Sequence, residues 1–219
     1  MSGPGNRATH VFLDLDGTLT DPKEGITRSV IFALERMGLK APEADALDWV
    51  IGPALVESFA RLGVGDVQAA LGHYRARYGD VGLYENAPYE GIGAVLAGLR
   101  AAGHVLCLAT AKPHVYARRI TGRFGLDTHL AHQFGPELDG TRNDKGVLLA
   151  HALEVTGADP RRAVMVGDRH HDIDAARAVG MKALAVSWGY GNAEEWARAD
   201  AICHSPRDLA GAVAALLDR

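Results

Sequence analysis

Two aspartates spaced two apart, Asp14 and Asp16, end the apolar run Val11 to Leu15 and are followed by Gly17-Thr18. Alternate residues of a strand point to one side, so if the strand continues, both carboxylates share a face. Two close carboxylates push their pKa values apart, which makes one an ionised nucleophile and the other a proton donor. A second acidic pair, Asp168 and Asp172 in Gly167-Asp168-Arg169-His170-His171-Asp172, also follows an apolar run. Four residues apart, these two share a face if the loop enters a helix. The oxygens of Asp14, Asp168 and Asp172 suit Mg²⁺, which takes a few carboxylates with water and a phosphate. Asp172 also reads as an acid at a helix start, which is compatible with binding a metal. His170 and His171 have no further His or Cys at zinc spacing, so zinc is disfavoured.

Thr110 ends the apolar run Val105 to Ala109 and precedes Ala111-Lys112-Pro113, with proline suited to a first helical turn. Its hydroxyl and the N–H groups of that turn, Ala111 included, suit a phosphoryl oxygen. Lys145 begins the next helical segment. A phosphoryl group in transfer spreads negative charge over its oxygens and needs a metal, a cation, hydroxyl or amide donors and an in-line nucleophile. Each requirement has a candidate here. Three ionised carboxylates against Mg²⁺ and one lysine come near neutrality, leaving room for a phosphate dianion.

These residues need elements to hold them at one place. From about Thr20 to Pro88 the apolar positions recur at helical spacing (Ile26, Val30, Ile31, Leu34, Met37; then Leu55, Phe59, Leu62; then Leu71, Tyr74, Tyr78), and no strand is expected. After Pro88, helical and β-type segments alternate. Strands are expected at Val105 to Thr110, Leu130 to Phe134, Ala163 to Val166, Ala183 to Ser187 and Ala201 to Cys203. The helices between and after them end at Ala102 or span Pro113 to Phe124, Asp144 to Thr156, Asp172 to Val179 and Pro206 to Leu217. This is an α/β pattern, a doubly wound parallel sheet with a Rossmann-like core. The expected organisation is a flexible N-terminus (1–9), a core (10–19 and 89–219) and an inserted α-helical cap (20–88). Ligands of such sheets bind outside the carboxyl ends of the strands, where Asp14, Thr110 and Asp168 fall.

Composition narrows the partners. The chain has 219 residues, 47% of them hydrophobic, and 23 Lys+Arg against 27 Asp+Glu. A net charge of -4 provides no field for a polyanion, so no nucleic-acid partner is expected. No apolar run approaches the ~20 residues of a membrane helix, and Met1 to Thr9 shows no signal-peptide pattern, so the expectation is a cytoplasmic protein with no membrane partner, monomeric or homodimeric. The cysteines, Cys107 and Cys203, lie in apolar stretches and read as reduced, buried thiols.

Four segments appear in order: Asp14-Leu-Asp-Gly-Thr-Leu-Thr20, Ala109-Thr-Ala-Lys-Pro113, Glu137-Leu-Asp-Gly-Thr-Arg-Asn-Asp-Lys145 and Val166-Gly-Asp-Arg-His-His-Asp172. With them, from about His10 to Leu217, the chain resembles the haloacid dehalogenase-like (HAD) superfamily, in particular its phosphoglycolate phosphatase and 5′-nucleotidase-like branch. The resemblance implies a Mg²⁺-dependent phosphatase acting on a small phosphomonoester of the 2-phosphoglycolate type through an aspartyl-phosphate. A nucleoside 5′-monophosphate is the rival substrate, and a β-phosphoglucomutase-like phosphotransferase shares the chemistry. Asp14 would be the nucleophile and Asp16 the acid and base; Asp14, the Asp16 carbonyl, Asp168 and Asp172 would hold the metal. Thr110, Ala111 and Lys145 would bind the phosphoryl oxygens. Ile51-Gly-Pro-Ala-Leu55 resembles the family's substrate-facing cap loop, which makes Gly52, along with Arg75, a candidate substrate contact. The dehalogenases of the superfamily lack the second acid. A receiver-like phospho-aspartate switch uses similar residues, but receivers are much shorter and carry no inserted helices. Between Thr20 and Pro88 there are 7 Lys+Arg against 10 Asp+Glu, which argues against a highly charged substrate. The chain departs from the family at Ala175, where glycine is frequent.

Overall fold

A computed structural model describes residues 8–218. The first described element is β1 (His10–Leu13), and the chain turns at Gly17 to Leu19 into the short β2 (Thr20–Asp21). Three α-helices follow: α1 (Lys23–Arg36), α2 (Leu55–Arg61) and α3 (Val67–Asp80). The short β3 (Ala87–Pro88) leads to α4 (Ile92–Ala101), β4 (Val105–Ala109), α5 (His114–Arg123) and β5 (His132–Phe134). Next come α6 (Lys145–Thr156), β6 (Ala163–Gly167), α7 (His170–Ala178) and β7 (Lys182–Val186). The chain closes with α8 (Ala193–Trp196), β8 (Ala201–Cys203) and α9 (Leu209–Leu217).

Six strands form one parallel sheet in the order β5-β4-β1-β6-β7-β8, the α/β architecture expected from the alternating pattern. Leu13 pairs with Leu108 on one side and Val166 on the other, so the ends of β1, β4 and β6 lie level and Asp14, Thr110 and Asp168 leave the sheet together. Burial explains the unbroken apolar runs of these strands. Val11, Leu13, Val164 and Val166 belong to one core cluster, and Phe12, Cys107 and Met165 to a second, so both faces are covered. Both cysteines are free and buried.

The helical segment joins the first of these clusters. Ile26, Val30, Leu34, Leu47, Phe59, Tyr74 and Tyr78 form one continuous apolar body with Leu13, Leu15 and Val166. One expectation fails at its edges. No strand was expected between Thr20 and Pro88, but β2 and β3 pair antiparallel, Thr20 with Pro88 and Asp21 with Ala87. Two-residue strands carry no periodicity, and their pairing joins positions far apart in the chain. The ribbon places the entry and exit of the helical segment side by side. A second correction concerns α7, which begins at His170 rather than Asp172; Asp172 folds back so that its Oδ2 accepts from the Arg169 N–H at 3.1 Å. Residues 1–7 of the expected flexible N-terminus lie outside the described residues. The Thr9 carbonyl accepts from the Val105 N–H at 2.9 Å, which holds Thr9 beside the start of β4 in the interior of the sheet. Among the described residues, no helix is long and apolar enough to cross a membrane.

Candidate active site

Asp14 follows the last residue of β1 and is fixed on three sides. Its N–H donates to the Val166 carbonyl at 2.9 Å, Oδ1 accepts from the Leu15 N–H at 2.8 Å, and Oδ2 lies 2.9 Å from Lys145 Nζ. Lys145 opens α6, where the Asp144 side chain caps the helix by accepting from the Val147 N–H at 2.8 Å. It is buried and also pairs with Asp172. Burial opposes its charge, but Asp14 and Asp172 outweigh that and raise its pKa, so the ammonium stays charged.

Asp14, Asp168 and Asp172 are buried and offer oxygens that lie within 4.8 Å of one another. Asp168 Oδ2 accepts from the Tyr190 N–H at 2.7 Å, while its buried Oδ1 has no hydrogen-bond partner. Burial, then the charges of Asp172 and Asp14, push Asp168 well above the usual carboxylate range. Burial also raises Asp172 to about 6, although Lys145 opposes the shift. An all-oxygen cluster with more negative charge than its lysine neutralises, and with one buried oxygen unpartnered, fits a hard divalent cation such as Mg²⁺. Gly17 keeps the cluster accessible to the backbone: at φ +79° it takes a left-handed conformation, and a Cβ there would come within 2.3 Å of Asp168 Oδ2.

The Asp16 side chain lies outside this acidic cluster. Its Oδ2 pairs with Lys112 Nζ at 2.8 Å, and its buried Oδ1 has no hydrogen-bond partner. Burial raises its pKa against the pull of Lys112, and the Asp14 charge adds to the rise, so Asp16 is biased toward its protonated form. The two carboxylates, identical in type, therefore have different electrostatic settings.

Two cavities flank them. The smaller, about 230 Å³, is bordered by Asp14, Lys145, Asp172 and Ala111. The larger, about 370 Å³, opens beside Asp16 and Lys112 and is walled by Leu71, Tyr74, Tyr78 and Tyr116. Gly52 and Ala111 border both. Gly52 has φ +104°, and a Cβ there would press within 3.0 Å of Arg169 Cγ. Arg75, on α3, lines the larger cavity and donates to the Leu138 carbonyl at 3.0 Å. Thr110 is buried, and its Oγ1 accepts from the Lys112 N–H at 3.2 Å.

The structure thus brings Asp14, Asp16, Thr110, Ala111, Lys145, Asp168 and Asp172 to one end of the sheet, with Gly52 and Arg75 facing them from the helical segment. Sequence reasoning missed Lys112 and Tyr78, joined at 2.7 Å, and Arg169, which donates to the Ile51 carbonyl at 2.5 Å and to Glu195 at 2.9 Å. Lys112 had a signal in its place two residues beyond Thr110; Tyr78 had none beyond its helical spacing.

A model of the family described as haloacid dehalogenase-like hydrolase matches residues 11–186, and the chain belongs to that family. It is 43% identical over 207 residues to the 5'-nucleotidase of Pseudomonas aeruginosa, covering 93% of both chains. It is also 43% identical over 194 residues to tyrosine-protein kinase PtkA of Mycobacterium tuberculosis, covering 88% of this chain and 67% of PtkA. The crystal structure of a predicted phosphatase from Clostridium acetobutylicum superposes with a TM-score of 0.91 at 31% identity, covering 95% and 99% of the two chains. Within the family, the chain is a phosphoric monoester hydrolase.

Proposed function

We propose that the protein hydrolyses nucleoside 5′-monophosphates through an aspartyl-phosphate on Asp14. The ionised Asp14 oxygen attacks phosphorus, the bond from phosphorus to the ester oxygen breaks, and Asp16 gives its proton to the departing alkoxide. A water then attacks the same phosphorus and returns a proton to Asp16, while the bond from phosphorus to the Asp14 oxygen breaks and inorganic phosphate leaves. The Lys145 ammonium, the Thr110 hydroxyl and the Ala111 N–H hold the phosphoryl oxygens. Asp14, Asp168, Asp172 and the Asp16 carbonyl would hold Mg²⁺, which supplies positive charge to the phosphoryl oxygens.

The observation that carries the substrate class is the larger cavity beside Asp16, about 370 Å³ and walled by Tyr74, Tyr78 and Tyr116. A nucleoside, whose flat aromatic base can stack on tyrosine rings, fits such a wall. Glycolate is far smaller and presents a carboxylate, yet both cations lining the cavity are engaged, Lys112 with Asp16 and Arg75 with the Leu138 carbonyl. The likeness to a 5'-nucleotidase supports the same choice.

The test is phosphate release by the purified protein with Mg²⁺ from the four common nucleoside 5′-monophosphates, 2-phosphoglycolate and several sugar phosphates. The highest kcat/KM is expected on a nucleotide. A higher value on 2-phosphoglycolate would move the assignment to that acid, and a stable phosphoprotein with no release would favour a switch.

A further inference from the structure

Lys112 is a buried cation that the reaction outlined above leaves without a role. Its ammonium reaches two groups of different origin. One is Asp16 Oδ2, at 2.8 Å, on the loop after β1; the other is the Tyr78 hydroxyl, at 2.7 Å, on α3 of the helical segment. All three side chains are buried, with Tyr78 1% exposed. Tyr78 is itself held in place: its ring stacks on Tyr74 at 5.2 Å and meets Tyr116 edge-on at 5.5 Å. A buried lysine needs a charge partner and a hydrogen-bond acceptor to remain where it is. The core supplies the first and the helical segment the second.

The consequence falls on Asp16. Lys112 holds Oδ2, the buried Oδ1 has no partner, and Asp16 borders the large cavity, so the pairing with Lys112 fixes how the carboxyl is presented there. We propose that Lys112 is a positioning residue for Asp16, and that Tyr78 orients Lys112, so that the acid is correctly aimed only when α3 is docked on the sheet. The helical segment then contributes to the chemical step as well as to substrate choice. The inference rests on the reading of Asp16 as the proton donor to the leaving group.

A positioning role leaves a signature that a merely structural one does not. Misorienting the acid penalises departure of a poor alkoxide far more than departure of a stabilised aryloxide. Wild type, Lys112→Met, Tyr78→Phe, the Lys112→Met/Tyr78→Phe double variant and Asp16→Asn should be compared on adenosine 5′-monophosphate and on 4-nitrophenyl phosphate by the single-turnover rate of leaving-group release, which precedes the water step, with thermal unfolding recorded for each. For Lys112→Met the expected loss in that rate is about 10²-fold on the nucleotide and under about 10-fold on the aryl ester, within the range for a general acid. Tyr78→Phe should show the same asymmetry at smaller size and add nothing in the Lys112→Met background, since it acts through that lysine.

Equal losses of Lys112→Met on the two esters, beside an asymmetric Asp16→Asn, would overturn the positioning role alone. Symmetric losses of Asp16→Asn would overturn the acid assignment and the inference with it. Additive losses in the double variant would show that Tyr78 acts independently of Lys112, and would overturn the coupling to α3.

Discussion

Asp14 and Asp16 are the same residue type two positions apart, yet they sit in two differently built halves of the site. The half around Asp14, to which the proposed mechanism gives the phosphoryl group, is made from the sheet ends and the helices that follow them, with Lys145, Asp168 and Asp172 all supplied by the core. The leaving-group half around Asp16 is shared: Lys112 comes from the core, while Tyr78, Tyr74 and Leu71 come from α3. In the first half, three buried acids share one lysine. In the second, burial biases an acid toward its neutral form against the pull of a single lysine. Chemistry common to a family can reside in the first half while the second varies, because α3 can change its side chains without disturbing the strand ends.

The most damaging way to break this division is at the nucleophile. Asp14→Asn should lower phosphatase activity on the order of 10⁴-fold or more, since removing a covalent nucleophile leaves only binding and electrostatics. Steady-state phosphate release on any accepted ester checks it. Activity within 10-fold of wild type would put the nucleophile elsewhere.

Asp168→Asn probes the same half through its charge. In the metal-free protein, Asp168 and Asp172 bind protons more tightly than they do in the unfolded chain, because their folded pKa values are raised. Their contribution to stability is therefore unfavourable at neutral pH and is relieved as pH falls, for Asp172 between about 6 and its ordinary 3.8. Asp168→Asn should accordingly raise the metal-free Tm at pH 7, and the gap to wild type should shrink as pH approaches 4. Mg²⁺ should raise the wild-type Tm and do much less for the variant. Thermal unfolding with and without Mg²⁺ checks both signs.

The leaving-group half should respond more weakly and more selectively. Tyr74→Ala, which removes a wall of the larger cavity, should raise KM for a nucleoside monophosphate about 10-fold while changing 2-phosphoglycolate turnover little. Arg75→Ala should have the smallest effect, a change of about 3-fold in KM, because its guanidinium already serves the Leu138 carbonyl at 3.0 Å. A larger loss on 2-phosphoglycolate than on nucleotides in Arg75→Ala would identify Arg75 as a carboxylate receptor and reverse the substrate order.

The same division explains what the sequence could reveal. Asp14, Thr110, Lys145 and Asp168 are legible because each follows a recognisable apolar run or opens a helix, and Asp172 because it stands four residues beyond Asp168; a parallel sheet brings such positions together whatever lies between them. Nothing in the residues around Lys145 signals its burial; its place beside two acids comes from packing that only the fold supplies. Lys112 stands in the Ala109–Pro113 segment, but its contact with Tyr78 is set by how α3 docks. The β2 and β3 ribbon was invisible because two residues carry no period. The clasp of Arg169 on Ile51 and Glu195 likewise joins three segments with no shared pattern.

The central claim, one carboxylate for phosphorus and the other for protons, is tested most directly by trapping the intermediate. Asp16→Asn, mixed with 4-nitrophenyl phosphate and Mg²⁺ and quenched in acid, should carry one phosphoryl group per chain, mapped by peptide mass spectrometry to Asp14, because the step that needs Asp16 to activate water is slowed. No adduct despite release of 4-nitrophenol, or an adduct on another residue, would contradict the assignment of the two aspartates.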